Sequence, residues 1–174
     1  MSHIDTAWSK LASRTARGLL ARKGGTYDDV ALALRGLGIE ETTKAVEQKI
    51  QRGTLKCSLF LQLIYVLRAD VPADLHRILD SSSGWDDACR RLAQLLLIAD
   101  SSISSKLLSH QLEECGTRLS PAQIDSQLQS GVYAFSLLLQ LAYLYPFPPL
   151  ERFVDRSDLE QAAKEARPAT SQAS

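Results

Sequence analysis

The chain contains one strongly apolar segment that occurs twice, 78 residues apart. Ser58–Tyr65 reads SLFLQLIY and Ser136–Tyr143 reads SLLLQLAY, and each copy follows shortly after a glycine, Gly53 or Gly131. A helix with apolar residues on nearly every side has to be covered on most of its faces, so each copy is predicted to be a central core helix. A repeat of this length, with unlike sequence between the matches, indicates a duplicated small domain rather than a solenoid.

The rest of the composition favours an all-α protein, because Leu and Ala are abundant and no stretch alternates with period two. Two domains of this size would each have a thin core, so we expect them to pack together. The predicted domains are residues 1–80 and 85–157, joined by a Ser/Gly linker at 81–84 and followed by a flexible tail at 158–174. The predicted fold is two tandem helix-turn-helix-like domains of four or five helices each.

Helix start and stop signals divide the first copy into five helices. Thr26 and Asp29 match a capping box, and glycines end several helices. The residues expected at helix boundaries are Thr6, Gly24, Thr26, Gly38, Thr42, Gly53 and Pro72. The second copy follows the same order from Trp85, with boundaries at Ser104, Gly116, Ser120 and Gly131 and a short closing helix through Leu150, Phe153 and Val154.

Sequence features of compartment and chemistry are mostly negative. Three widely spaced cysteines, Cys57, Cys89 and Cys115, match neither a disulfide framework nor a paired metal motif. The polar start at Met1–Thr6 is unlike a signal peptide, and no apolar run reaches membrane-spanning length. The motifs of hydrolases, nucleotide-binding loops and zinc proteases are missing. We therefore expect a cytoplasmic protein that is not an enzyme and needs no cofactor or metal.

The order of short helices is typical of repressor-type helix-turn-helix domains, whose third helix enters the DNA major groove. In the third helix, Val46 and Ile50 are the expected inward anchors. The outward side chains Lys44, Gln48 and Gln51 suit base edges, and Lys49, Arg52 and Lys56 suit phosphates. Any small helical bundle also has polar outward positions, and the connection before this helix is longer than the tightest helix-turn-helix turns.

A basic stripe on the first helix has two interpretations. Lys10, Arg14 and Arg17 recur at helical spacing opposite the apolar face. The stripe is either a solvated surface or a second phosphate-contacting element, and in the second case Arg14 and Arg17 belong to the DNA-binding set. Residues 1–70 carry 11 Lys/Arg against 7 Asp/Glu, whereas residues 71–174 carry 9 against 13.

The second copy departs from the first at the cations. The corresponding positions read Ala122, Gln127, Ser130 and Ala134 instead of Lys44, Lys49, Arg52 and Lys56. Loss of four cations removes much of the attraction to phosphates. We therefore predict that residues 85–157 are a degenerate copy that supports a homodimer or contacts another protein.

Three short pieces carry a resemblance to a known family. They are Thr26-Tyr27-x-x-Val30-Ala31-x-x-Leu34, Gly38-Ile39-Glu40-Glu41-Thr42, and Lys49-Ile50-x-Arg52-Gly53 followed by Phe60-Leu61-Gln62. The stretch resembles a bacterial family of small helical domains of unknown function, often found near genes of mobile genetic elements. The resemblance implies a repressor-like DNA-binding fold. The first hypothesis is a transcriptional regulator that binds double-stranded DNA, and the alternative is a protein–protein adaptor that modulates a transcription factor.

Overall fold

A computed structural model describes residues 6–98 and 100–168 of the chain. Within that part the protein is all-α, as predicted, with ten α-helices and no strand beyond one isolated β-bridge. The helices are α1 Ala7–Lys23, α2 Tyr27–Gly36, α3 Thr43–Arg52, α4 Cys57–Val66, α5 Ala73–Ser81, α6 Trp85–Leu97, α7 Ser105–Glu114, α8 Pro121–Ser130, α9 Phe135–Leu144 and α10 Arg156–Ala166. A short 3₁₀ turn, Pro148–Leu150, precedes α10.

Most of the expected helix boundaries are confirmed. Thr6, Thr26 and Ser120 form capping boxes, in which the hydroxyl accepts from the third backbone N–H and that residue's side chain accepts from the cap. The hydroxyls of Thr42 and Ser104 also accept from backbone N–H groups. The helix α2 ends slightly earlier than expected, at Gly36, and Gly38 follows in the left-handed conformation.

The repeated apolar segment forms α4 and α9, which are the buried helices predicted from the sequence. All but a few of their side chains are buried, and each buried Leu or Phe contributes about 1.5–3 kcal/mol. Phe60 of α4 stacks on Phe135 of α9, with ring centroids 3.9 Å apart. Phe153 meets Phe60 edge to face at 5.6 Å. The two helices therefore share one core instead of centring two separate ones.

The first helix of each half packs across the molecule. The helix α1 lies against α9 and α10, and α6 lies against α4 and α5. The indole of Trp8 in α1 donates to the carbonyl of Cys115 at 2.9 Å and lies 6.0 Å from the Tyr143 ring. Trp85 of α6 meets the ring of Tyr65 at 5.7 Å. Buried side chains from both halves consequently form one continuous hydrophobic cluster.

The C-terminal region differs from the prediction. A flexible tail was expected from residue 158, but α10 extends to Ala166 and buries Leu159, Ala162 and Ala163. The expected closing helix through Leu150 and Val154 is instead a 3₁₀ turn followed by turns. The prediction was wrong because the buried face of α10 consists mainly of alanines, which give only a weak hydrophobic period. Residues 169–174 of the expected tail lie outside the described residues.

Candidate nucleic-acid interface

The helix α3 is held by the two apolar anchors predicted for it. Val46 and Ile50, four residues apart, have no exposed surface. Thr42 caps the start, and Gly53 ends the helix with φ 67°. The hydroxyl of Thr43 also donates to the carboxylate of Asp28 in the first turn of α2, at 2.7 Å. The orientation of α3 against α2 is therefore fixed from inside and from its first turn.

The outward side of α3 carries most of the residues proposed for DNA contact. Lys44, Gln48, Gln51 and Arg52 are all exposed. Their helical positions place them on the side opposite Val46 and Ile50. The amide of Gln51 donates to the carboxylate of Glu47 at 3.2 Å, so an acidic group borders this side. The sequence interpretation left Glu47 out, although its position one helical turn before Gln51 places it there.

Lys49 lies on the flank of α3, and its ammonium is paired with the carboxylate of Glu41. Glu41 belongs to the connection between α2 and α3. An ammonium engaged with a carboxylate attracts a phosphate less strongly than a solvated one does, so Lys49 contributes less to the positive surface than the sequence suggested. This pairing depends on the course of the connection, which the sequence pattern does not specify.

The helix α1 lies directly beside the C-terminal end of α3. The hydroxyl of Ser13 donates to the carbonyl of Gln51 at 3.0 Å, and the guanidinium of Arg17 donates to that hydroxyl at 3.2 Å. Gly53 also approaches α1 so closely that a Cβ there would lie 1.7 Å from the Ser9 carbonyl oxygen. These contacts set the basic stripe of α1 next to the outward side of α3.

The stripe itself is exposed, with Lys10, Arg14 and Arg17 all at the surface. We define the basic face as the exposed polar residues of the two adjoining helices, Lys10, Arg14, Arg17, Lys44, Gln48, Gln51 and Arg52. Lys56 is also exposed and lies at the N-terminal end of α4, close to the C-terminal end of α3. The sequence could have indicated the junction through Ser9 and Ser13, small residues one turn apart on an otherwise apolar side of α1.

The corresponding face of the second half is almost uncharged. In α8, Ala122, Ser126, Gln129 and Ser130 are exposed. In α6, the hydroxyls of Ser81 and Ser82 hold the guanidinium of Arg91 at 2.8 and 3.0 Å. Asp87 pairs with Arg90 and accepts from the Ser83 N–H, and these two contacts, the Ser83 bond first, lower its pKa.

Catalytic and metal-binding arrangements do not emerge elsewhere in residues 6–98 and 100–168. No group of three or more His, Cys, Asp or Glu side chains in that range is placed to hold a metal ion. The three cysteines are buried and unbridged. A hydrogen bond with Cys57 and then burial raise the pKa of the Cys89 thiol, and burial raises that of Cys115, so these thiols are poor nucleophiles.

None of the helices in the described part of the chain is both long enough and apolar enough to span a membrane.

Comparisons with known proteins bear on the N-terminal half. No curated protein and no solved structure matches the chain. The resemblance inferred for the stretch from Thr26 to Leu63 is supported in part, because a family of unknown function does cover that stretch. Residues 8–71, from the first turn of α1 to the residues just before α5, match the family described as a domain of unknown function, DUF6471.

Proposed function

We propose that the protein is a non-enzymatic regulator of transcription that binds double-stranded DNA through the basic face. The observation that carries the proposal is the junction of α1 and α3, where Ser13 donates to the Gln51 carbonyl. That junction joins two sets of outward side chains, which each look like an ordinary solvated surface when taken alone, into one face.

The charges of this face suit a phosphate backbone. Lys10, Arg14, Arg17, Lys44 and Arg52 provide five cations, bordered by the single carboxylate of Glu47. Phosphate contacts supply most of the affinity of such an interface, and base-edge contacts supply its specificity. Lys44, Gln48 and Gln51 suit base edges, while Arg14, Arg17, Arg52 and Lys56 suit phosphates on either side. Lys49, paired with Glu41, has a minor part.

Binding to duplex DNA across a salt series tests the proposal. Replacement of Arg14 and Lys44 together by Ala should lower affinity at low salt and reduce the slope of log K against log[salt] by about two units, one for each lost contact. Both side chains are exposed, so the fold should persist, as circular dichroism can check.

The matched control replaces Lys106 and Lys164, which are exposed on α7 and α10, by Ala. It changes the net charge equally but leaves the basic face intact, so its slope should equal that of the unaltered protein. Equal slopes for all three proteins would contradict the assignment of the face. No binding of the unaltered protein at low salt would contradict DNA binding altogether.

A protein–protein adaptor is the second candidate. Large apolar side chains are exposed at Leu32, Tyr65 and Ile98, at 69%, 53% and 79% of their surface. The C-terminal part of the chain is also acidic. Such surfaces suit a protein partner better than a phosphate backbone. The salt series separates the two candidates, since an adaptor would bind duplex DNA neither at low salt nor in dependence on Arg14 and Lys44.

A further inference from the structure

The two halves meet at a point where equivalent residues pair with each other. Lys56 and Ala134, 78 residues apart, form the isolated antiparallel bridge. The Cys57 N–H donates to the Tyr133 carbonyl at 2.9 Å, and the Phe135 N–H donates to the Leu55 carbonyl at 3.0 Å. A shift of 78 residues converts each of these hydrogen bonds into the other. Reciprocal pairing of this kind is the mark of a two-fold interface.

Contacts far from the bridge follow the same reciprocity. Trp8 meets Tyr143, and Trp85 meets Tyr65. The packing of α1 on α9 is matched by that of α6 on α4, and the packing of α1 on α3 by that of α6 on α8. Gly131 approaches the Asp86 carbonyl as Gly53 approaches that of Ser9, at 1.9 and 1.7 Å from an added Cβ. An approximate two-fold axis therefore relates the halves and passes between Lys56 and Ala134.

This axis runs close to the ends of both candidate recognition helices. Gly53 and Gly131 each precede the bridge by three residues. Three extended residues span at most about 11 Å, and bridged backbones lie about 5 Å apart. The C-terminal ends of α3 and α8 therefore lie within about 27 Å of each other, on either side of the axis. Dimeric helix-turn-helix proteins use such an arrangement to read two half-sites about 34–36 Å apart.

Only one of the two related faces is equipped for DNA. Lys10, Arg14 and Arg17 correspond to Asp87, Arg91 and Gln94, and Lys44 and Arg52 correspond to Ala122 and Ser130. Five cations are thereby replaced by one cation, Arg91, which serine hydroxyls already hold.

We infer that the chain is a fused two-fold pair with a single working DNA face, so its target is one asymmetric half-site bound by one chain, not a palindrome bound by two. The inference rests on the proposed function and adds the form of the target. It also gives the second half a role, because α6 and α9 complete the core that α1 and α4 need.

Duplexes of two lengths test this, about 12 and about 24 base pairs, that is, one and two helical turns. For the unaltered protein, the slope of log K against log[salt] should be the same on both lengths. A variant with Gln94→Arg, Ala122→Lys and Ser130→Arg restores three cations at exposed positions of the second face. Its slope should match on the short duplex and become steeper by about two to three units on the long one.

The matched control carries Glu at the same three positions and should show no gain on the long duplex. A steeper slope of the unaltered protein on the long duplex would overturn the inference while leaving the proposed function standing, because both faces would then bind. A folded cation variant without the gain would overturn the two-fold placement of the faces. If the unaltered protein binds neither duplex at low salt, the proposed function fails and the inference fails with it.

Discussion

At the scale of single residues, the closest backbone approach in the protein occurs at Gly53. Its φ of 67° is costly for a residue with a side chain, and the added Cβ would lie 1.7 Å from the Ser9 carbonyl oxygen. The same residue ends α3 and sets its distance from α1. Gly53 therefore determines whether the two parts of the basic face adjoin each other.

Replacing Gly53 by Ala should lower the free energy of unfolding by more than about 4 kcal/mol, because α3 must move away from α1. The matched control is Gly24→Ala, which has a similar φ of 63° but nothing within 4 Å of the added Cβ. It should cost only about 1–2 kcal/mol, the price of the backbone conformation alone. Urea unfolding of both variants gives the comparison, and equal losses would contradict the close approach.

At the scale of helices, the ends of α2 and α3 are fixed by side-chain caps. The Thr26 hydroxyl and the Thr26 N–H both donate to the carboxylate of Asp29, at 2.8 and 3.0 Å. These hydrogen bonds, the hydroxyl's first, hold the pKa of Asp29 below its usual value. A carboxyl with a lowered pKa in the folded state stabilises that state above its unfolded pKa, about 3.9, and loses this contribution as the pH falls through the folded pKa.

The stability of the protein should therefore decrease as the pH falls below about 4, and Asp29→Asn should make that decrease shallower. Urea unfolding at a series of pH values measures it. Glu40→Gln, which removes an exposed carboxyl from the connection between α2 and α3, serves as the control. Its pH dependence should stay like that of the unaltered protein. An Asp29→Asn variant with the full acid dependence would show that this cap contributes nothing.

At the scale of the whole molecule, the exchange of α1 and α6 between the halves couples their stabilities. The buried indole of Trp8 contacts the second half through Cys115 and Tyr143, and Trp85 contacts the first half through Tyr65. One hydrophobic cluster contains core residues from both halves. Such a core should unfold as one cooperative unit, since neither half retains its covering helix without the other.

The two tryptophans report on this separately. In variants that keep only Trp8 or only Trp85, the other being replaced by Phe, the fluorescence transition in urea should coincide with the loss of helix measured by circular dichroism of the same variant. The agreement within each variant matters, because Trp8→Phe also removes the hydrogen bond to Cys115 and lowers the midpoint itself. Separate fluorescence and helix transitions would indicate independently folding halves.

The sequence by itself determined the helices and their ends, because caps such as Thr26, Ser120 and Gly53 act within a few residues of chain. It also determined that α4 and α9 are buried, since their apolar side chains leave no polar face. Only the tertiary structure decided which half α1 covers, that Ser13 joins α3 to the basic stripe, and that Glu41 pairs with Lys49. It likewise decided the helical state of α10, whose alanines pack closely without a strong sequence signal. The physical reason is that capping and burial leave a local pattern, whereas contacts between distant segments depend on how the whole chain packs.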